Sequence, residues 1–228
     1  MPADLPDLLV IGDSHSNALA EGAAAQGLRV EMLRFSGNIW HSGRVVAHAD
    51  HGLWVRGLRA MQAEILALRD RLGGRSVLTA EVPVLGAFGY HLGRLVPPMG
   101  FVGHVADAAA FDADPGALAM SQAFVDAYVA HHRAGLVRLA RTVMRACPLV
   151  VVAPPRAFDR PNYAAVRAAI TRQLRAGRVE VYDPAPDLCG EGVLDPGYLM
   201  ADGTHGNARY GAAIIAAMQA AGRLPRVR

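Results

Sequence analysis

Along this chain, short uninterrupted apolar runs alternate with stretches whose apolar residues recur every three or four positions. Leu8–Ile11 is such a run, closed by Gly12, and predicts a short buried strand. Leu28–Phe35 alternates apolar with polar residues and ends at Ser36-Gly37-Asn38, a turn signal, so a second strand is expected there. Leu58, Met61, Ile65, Leu68 and Leu72 fall on one face of a helix that stops at Gly73-Gly74. Val77–Leu85 reads as a third strand, with Pro83 interrupting its central pairing. Residues 117–146 carry a long helical pattern with Phe124, Tyr128, Leu136, Leu139 and Val143 as the expected buried face. Leu149–Ala153 is a fourth strand, closed by Pro154-Pro155. Tyr163–Leu174 reads as a helix, Val179–Tyr182 as a fifth strand and Arg209–Ala221 as a terminal helix.

Five strands separated by helices predict an α/β fold, because parallel neighbours need a crossover and the crossover is usually a helix. The expected architecture is a three-layer α/β/α sandwich around a mostly parallel five-stranded sheet, of the flavodoxin-like kind. In such sheets ligands bind beyond the carboxyl ends of the strands, so the informative residues follow each strand. The 228 residues suit a single domain spanning 1–228. A loop or helical elaboration is expected around 97–146, where Pro97–Pro115 reads as a long loop or lid.

Composition narrows the classes. The chain is 52% hydrophobic and 19% charged, which excludes a disordered polymer. Two cysteines, Cys147 and Cys189, are too few to staple a domain of this size and read as free thiols. All 23 basic residues are arginine, and they are scattered. With a net charge of +3 and no basic cluster, nucleic acid is not the expected partner. No apolar stretch approaches the length needed to span a bilayer. The first residues, Met-Pro-Ala-Asp-Leu-Pro-Asp, lack a basic region, so a cytoplasmic location without membrane attachment is expected.

Two short motifs carry chemistry. Directly after the first strand comes Gly12-Asp13-Ser14-His15, which places a serine at the sheet edge before a helix amino terminus. Backbone N–H groups and the helix dipole favour a nucleophile there. The competing reading is an ordinary helix cap by Asp13 or Ser14. Near the other end, Asp202-Gly203-Thr204-His205 offers a base and an acid to orient it from one turn, although Asp-Gly is also common turn chemistry. His48 and His51 suggest metal only if a third ligand joins them; none has suitable spacing, and neither metal nor cofactor is expected.

With one block after the first strand and the other before the final helix, the chain resembles the SGNH (GDSL-type) hydrolase superfamily. The resemblance implies Ser14 as nucleophile, His205 as base and Asp202 as its partner. It puts Gly37 where the family has a second-block glycine, whose N–H joins that of Ser14 in an oxyanion hole. The third block departs from the pattern. Gly86-Ala87-Phe88-Gly89-Tyr90-His91 has Gly89 where the family has an asparagine donor, which leaves Asn38 or Asn17 to supply an amide. Asp13, His15, Trp40, Tyr90 and His91 follow strand ends and are expected at the substrate site, with capping and packing as the competing readings. The expected activity is hydrolysis of a small-molecule or carbohydrate ester such as an O-acetyl group. A catalytically weak SGNH-like binding protein is the first rival. A nucleotide-binding domain is the second, disfavoured because no dinucleotide fingerprint or P-loop follows any strand.

Overall fold

The structure, a computed structural model, describes residues 5–97, 103–106, 108–113, 116–159, 162–189 and 192–226. The first half runs β1 (Leu8–Gly12), α1 (Ser16–Ala25), β2 (Val30–Arg34), α2 (Gly37–His41), β3 (Val45–His48), β4 (Gly52–Val55), α3 (Arg59–Arg71) and β5 (Val84–Ala87). The second half adds α4 (Leu92–Leu95), β6 (His104–Val105), α5 (Ala108–Ala113), β7 (Leu118–Ala119), α6 (Gln122–Ala146) and β8 (Leu149–Val152). It closes with α7 (Tyr163–Ala176), β9 (Glu180–Tyr182), α8 (Ala185–Leu188) and α9 (Ala208–Ala220).

The five expected strands form one parallel sheet in the order β2-β1-β5-β8-β9, the flavodoxin-like arrangement. Successive β1 side chains point to opposite faces, and both faces are covered, which is why the run reads as continuously apolar. Leu9 and Ile11 join the core shared with α3, α6 and α7. Leu8 and Val10 join the core shared with α1 and α9. Each layer therefore rests on alternate residues of the same strands.

The structure corrects several expectations. The third strand begins at Val84 and not at Val77, because Pro83 has no N–H for the ladder; its carbonyl still accepts from the Leu9 N–H at 2.9 Å. The long helix starts at Gln122, where the Ser121 hydroxyl accepts from the Phe124 N–H. Phe124 itself is exposed, since the buried stripe runs through Val125, Val129, Arg133, Leu136, Ala140 and Val143. The β3–β4 hairpin and α2 were not expected. His48 and His51 sit at that hairpin and not on a helix, and His51 Nδ1 accepts from Arg69 at 2.9 Å. Among the described residues no group of three potential ligands is poised for a metal ion, and no helix is long and apolar enough to cross a membrane. The segment expected as a loop or lid, 97–115, lies partly outside the described residues; its described parts include α5 and β6, which pairs with β7 just beyond the segment.

Candidate active site

The site is built on the carboxyl edge of the sheet, where β1 and β5 end side by side. Gly12 pairs with Ala87, and a Cβ on Gly12 would stand 2.3 Å from the Ala87 carbonyl oxygen. Only glycine permits that approach. The chain then turns: Asp13 N–H donates to Ala87 O at 3.0 Å, and the Ser16 N–H donates back to Asp13 O as α1 begins. Ser14 is left half-buried on this turn.

The other half of the site comes from the loop before α9. Its ends are held by Met200 N–H donating to His205 O at 2.8 Å and by Asn207, whose side chain accepts from the Tyr210 N–H and donates to Gly197 O and Leu199 O. Asp202 folds its carboxylate back over the turn. One oxygen accepts from the backbone N–H groups of Thr204 (2.8 Å) and His205 (3.0 Å), and the other lies 2.6 Å from His205 Nδ1. These hydrogen bonds, the backbone pair foremost, hold the Asp202 carboxyl well below the usual carboxylate range. An ionised carboxylate can only accept, so Nδ1 carries the ring proton and Nε2 presents a lone pair. Ser14 Oγ lies 2.7 Å from that Nε2. The structure thus brings together the three residues singled out in the sequence, in an unbroken chain of hydrogen bonds.

Gly37 opens α2 beside this turn. Neither its N–H nor that of Ser14 donates to a backbone carbonyl among the described residues, so two amides remain available. Asn38, the next residue, is exposed. Asp13 is buried; one of its oxygens accepts from the His15 N–H at 2.9 Å and the other stands 3.1 Å from His91 Nε2. Burial works against ionisation of Asp13, but the neighbouring His91 and His15 outweigh it and keep its carboxyl below the ordinary range. His15 is half-buried with its ring 4.8 Å from that of His205, and burial pushes its own pKa down.

A cavity of about 510 Å³ adjoins these residues. It comes up to the site at Asp13, His15 and Thr204, chain neighbours of the triad, while Ser14, Asp202 and His205 themselves are not among the residues that line it. Its walls come from Phe88, Tyr90 and His91 after β5, Pro154–Asp159 after β8, and one face of α7 from Tyr163 to Arg175. Tyr90 lines it as expected, but its hydroxyl is already engaged with Thr171 at 2.8 Å, and burial pushes its pKa up to about 12. Trp40 is a correction. It is buried in the core, stacked on Phe88 at 4.9 Å, because the α2 turn directs it under the sheet edge and away from the cavity.

Sequence reasoning missed several residues here. Arg167 donates two hydrogen bonds to Asp183 and one to Pro154 O, all three residues lining the cavity, and Tyr210 lines it too with a buried hydroxyl that has no partner among the described residues. Arg133 is almost fully buried on α6, donating to Tyr90 O at 2.9 Å and to His41 Nδ1 at 3.3 Å, and burial lowers its pKa to about 10. Its position on an otherwise apolar helix stripe was the available signal.

The chain matches no protein-family model and no curated protein sequence. Among solved structures it is similar to an extracellular lipase from Streptomyces rimosus, with 12% sequence identity, a TM-score of 0.47, and 93% of this chain and 99% of that chain covered.

Proposed function

We propose that the protein is a serine ester hydrolase of the SGNH kind, using Ser14, His205 and Asp202 on a small acyl ester, with an O-acylated carbohydrate as the favoured substrate. The observation that carries this reading is the chain Asp202–His205–Ser14 at 2.6 and 2.7 Å, on the sheet edge beside a cavity. The Ser14 hydroxyl attacks the ester carbonyl while His205 Nε2 takes its proton. Negative charge then develops on the carbonyl oxygen, and the N–H groups of Ser14 and Gly37, which donate to no backbone carbonyl among the described residues, receive it in this reading. The imidazolium formed is stabilised by Asp202 and returns the proton to the leaving alcohol. Water, deprotonated by the same ring, releases the acid and restores the serine. Aromatic and proline walls beside polar groups lining the cavity suit a sugar ring, whose faces are apolar and whose rim carries hydroxyls.

A fluorophosphonate probe tests the reading, since only an activated serine reacts. Labelling confined to Ser14, and lost in Ser14→Ala with the circular dichroism spectrum retained, is the expected result. A well-folded protein that is not labelled at Ser14 and does not hydrolyse p-nitrophenyl acetate sinks the proposal in favour of a binding role.

A further inference from the structure

We infer that His91 is a positioning residue of the oxyanion hole, bracing the turn that carries Ser14 against the turn that carries Gly37 through its approach to Asp13 and the space its ring fills over Gly37. The inference rests on the serine-hydrolase reading for its functional meaning, but the clamp itself is a matter of geometry.

Three observations converge on this imidazole. First, His91 adopts φ 44° and ψ 49°, left-handed backbone that a residue with a Cβ enters only when its surroundings dictate it. Those surroundings are visible. The preceding residue is pinned at both ends, its carbonyl by Arg133 and its hydroxyl by Thr171, so the chain turns back at 91 and carries the ring toward β1. Second, the ring is buried, with 2% of its side chain exposed, and Nε2 stands 3.1 Å from Asp13 Oδ2. This is a close polar contact, without the N–H aligned on the oxygen for a hydrogen bond. Third, the ring edge closes over Gly37: a Cβ there would meet His91 Cδ2 at 3.2 Å. One side chain therefore lies against the turns after β1 and β2 while belonging to the turn after β5.

The electrostatics give the contact a purpose. Asp13 immediately precedes Ser14, and an unbalanced buried carboxylate there opposes the negative charge that ester attack creates. His91 stands against that carboxylate on its buried side, and the His15 N–H holds the other oxygen. Asp13 is thereby turned away from the oxyanion and made into a strut.

The test is a double-mutant cycle between Asp13→Asn and His91→Ala, read by steady-state kinetics on p-nitrophenyl acetate and by the rate of fluorophosphonate labelling. His91→Ala is expected to lower kcat and the labelling rate by roughly tenfold or more, with KM changed less than about threefold, because the oxyanion exists only after attack. In the Asp13→Asn background the same change is expected to cost less than about threefold, since no carboxylate remains to be held. His91→Gln, which keeps bulk and a donor, recovers part of the loss. A folded His91→Ala with wild-type kcat, or losses that simply multiply in the double variant, overturns the inference. Should His91→Ala fail to fold, His91→Gln takes its place in the cycle, and Gly37→Ala reads the other contact. Its cost must shrink when the rigid His91 ring is replaced by the flexible Gln side chain, and an undiminished cost overturns the clamp. Melting temperatures of the same variants report the Asp13–His91 coupling without any activity. Coupled melting with an unlabelled wild-type serine therefore faults the hydrolase reading alone, and additive melting faults the clamp alone.

Discussion

Ser14 Oγ and His205 Nε2 meet at 2.7 Å although 191 positions of sequence separate them. What brings them together is the pair of helices that follow: α1 starts two residues after Ser14 and α9 three residues after His205. These helices pack backbone to backbone. A Cβ on Gly211 would lie 1.6 Å from the Ala18 carbonyl oxygen, and one on Gly22 would lie 2.1 Å from Gly211. The two catalytic candidates are thus set by a contact that contains neither of them.

Gly211→Ala should therefore loosen the site from a distance. The added methyl cannot fit, so α9 must move off α1, and overpacking of this kind costs about 1–3 kcal/mol. We expect a lower melting temperature together with a fall in kcat, and slower phosphonate labelling of Ser14. A variant that melts lower but retains full kcat shows that the helix contact does not govern the Ser14–His205 distance.

Asp202 orients the base, and its loss acts on the proton's position more than on the loop. In Asp202→Asn an amide can donate to Nδ1, leaving the proton on Nε2, where it cannot accept from serine. The expected loss in kcat is on the order of 10³–10⁴-fold, as in triads of this geometry generally. The wild-type pH profile gives a second check. The Asp202 carboxyl is held below its usual range by hydrogen bonds in the folded state, so it stays ionised as pH falls through the ordinary carboxylate range, and its contribution to stability is lost only below that. The acid side of the activity profile should accordingly show no inflection at the ordinary carboxylate value. Observing one at the ordinary carboxylate value assigns Asp202 a different environment.

The parts of the molecule visible in the sequence are those where local pattern and tertiary role coincide. β1 is buried on both faces and therefore reads as an apolar run, and Gly12 is required both by the turn and by the approach of Ala87. Asp202 and His205 share one turn, so their pairing needs no distant partner. The hairpin β3–β4 escaped notice because strands of four residues carry too short a pattern. Trp40 was misplaced because an aromatic after a strand can face the cleft or the core, and the α2 turn that decides between them is set by packing on Phe88. His91 shows the limit most plainly: nothing in Gly89-Tyr90-His91 announces a left-handed residue, which follows from Arg133 and Thr171 elsewhere in the chain.

Tyr210 presents a buried hydroxyl with no partner among the described residues, on a ring packed against Gly206 beside His205. An unsatisfied buried hydroxyl disfavours folding, so Tyr210→Phe should melt at or above the wild-type temperature. If the hydroxyl receives a hydroxyl of the substrate, the ratio of kcat/KM for an acetylated sugar to that for p-nitrophenyl acetate should fall by roughly tenfold, a loss of about 1.4 kcal/mol. An unchanged ratio removes Tyr210 from substrate recognition.

Asn38 is, with Asn17, one of two candidates for a side-chain oxyanion donor. Gly37 lies against His91 beside the Asp13–Ser14 turn, and Asn38 follows it on the first turn of α2, exposed and with no hydrogen bond from its amide among the described residues. Asn38→Ala should then lower the acylation rate by about a hundredfold while leaving substrate affinity nearly unchanged, since the charge it receives is fully developed only in the transition state. The competing role is turn chemistry, for which asparagine and aspartate serve about equally well. Asn38→Asp separates the two. A carboxylate facing an oxyanion is repulsive and should inhibit at least as strongly as the alanine variant, whereas a residue that only shapes the turn tolerates the change. A normal acylation rate for Asn38→Asp in stopped-flow measurements would leave the backbone N–H groups of Ser14 and Gly37 to stabilise the oxyanion without it.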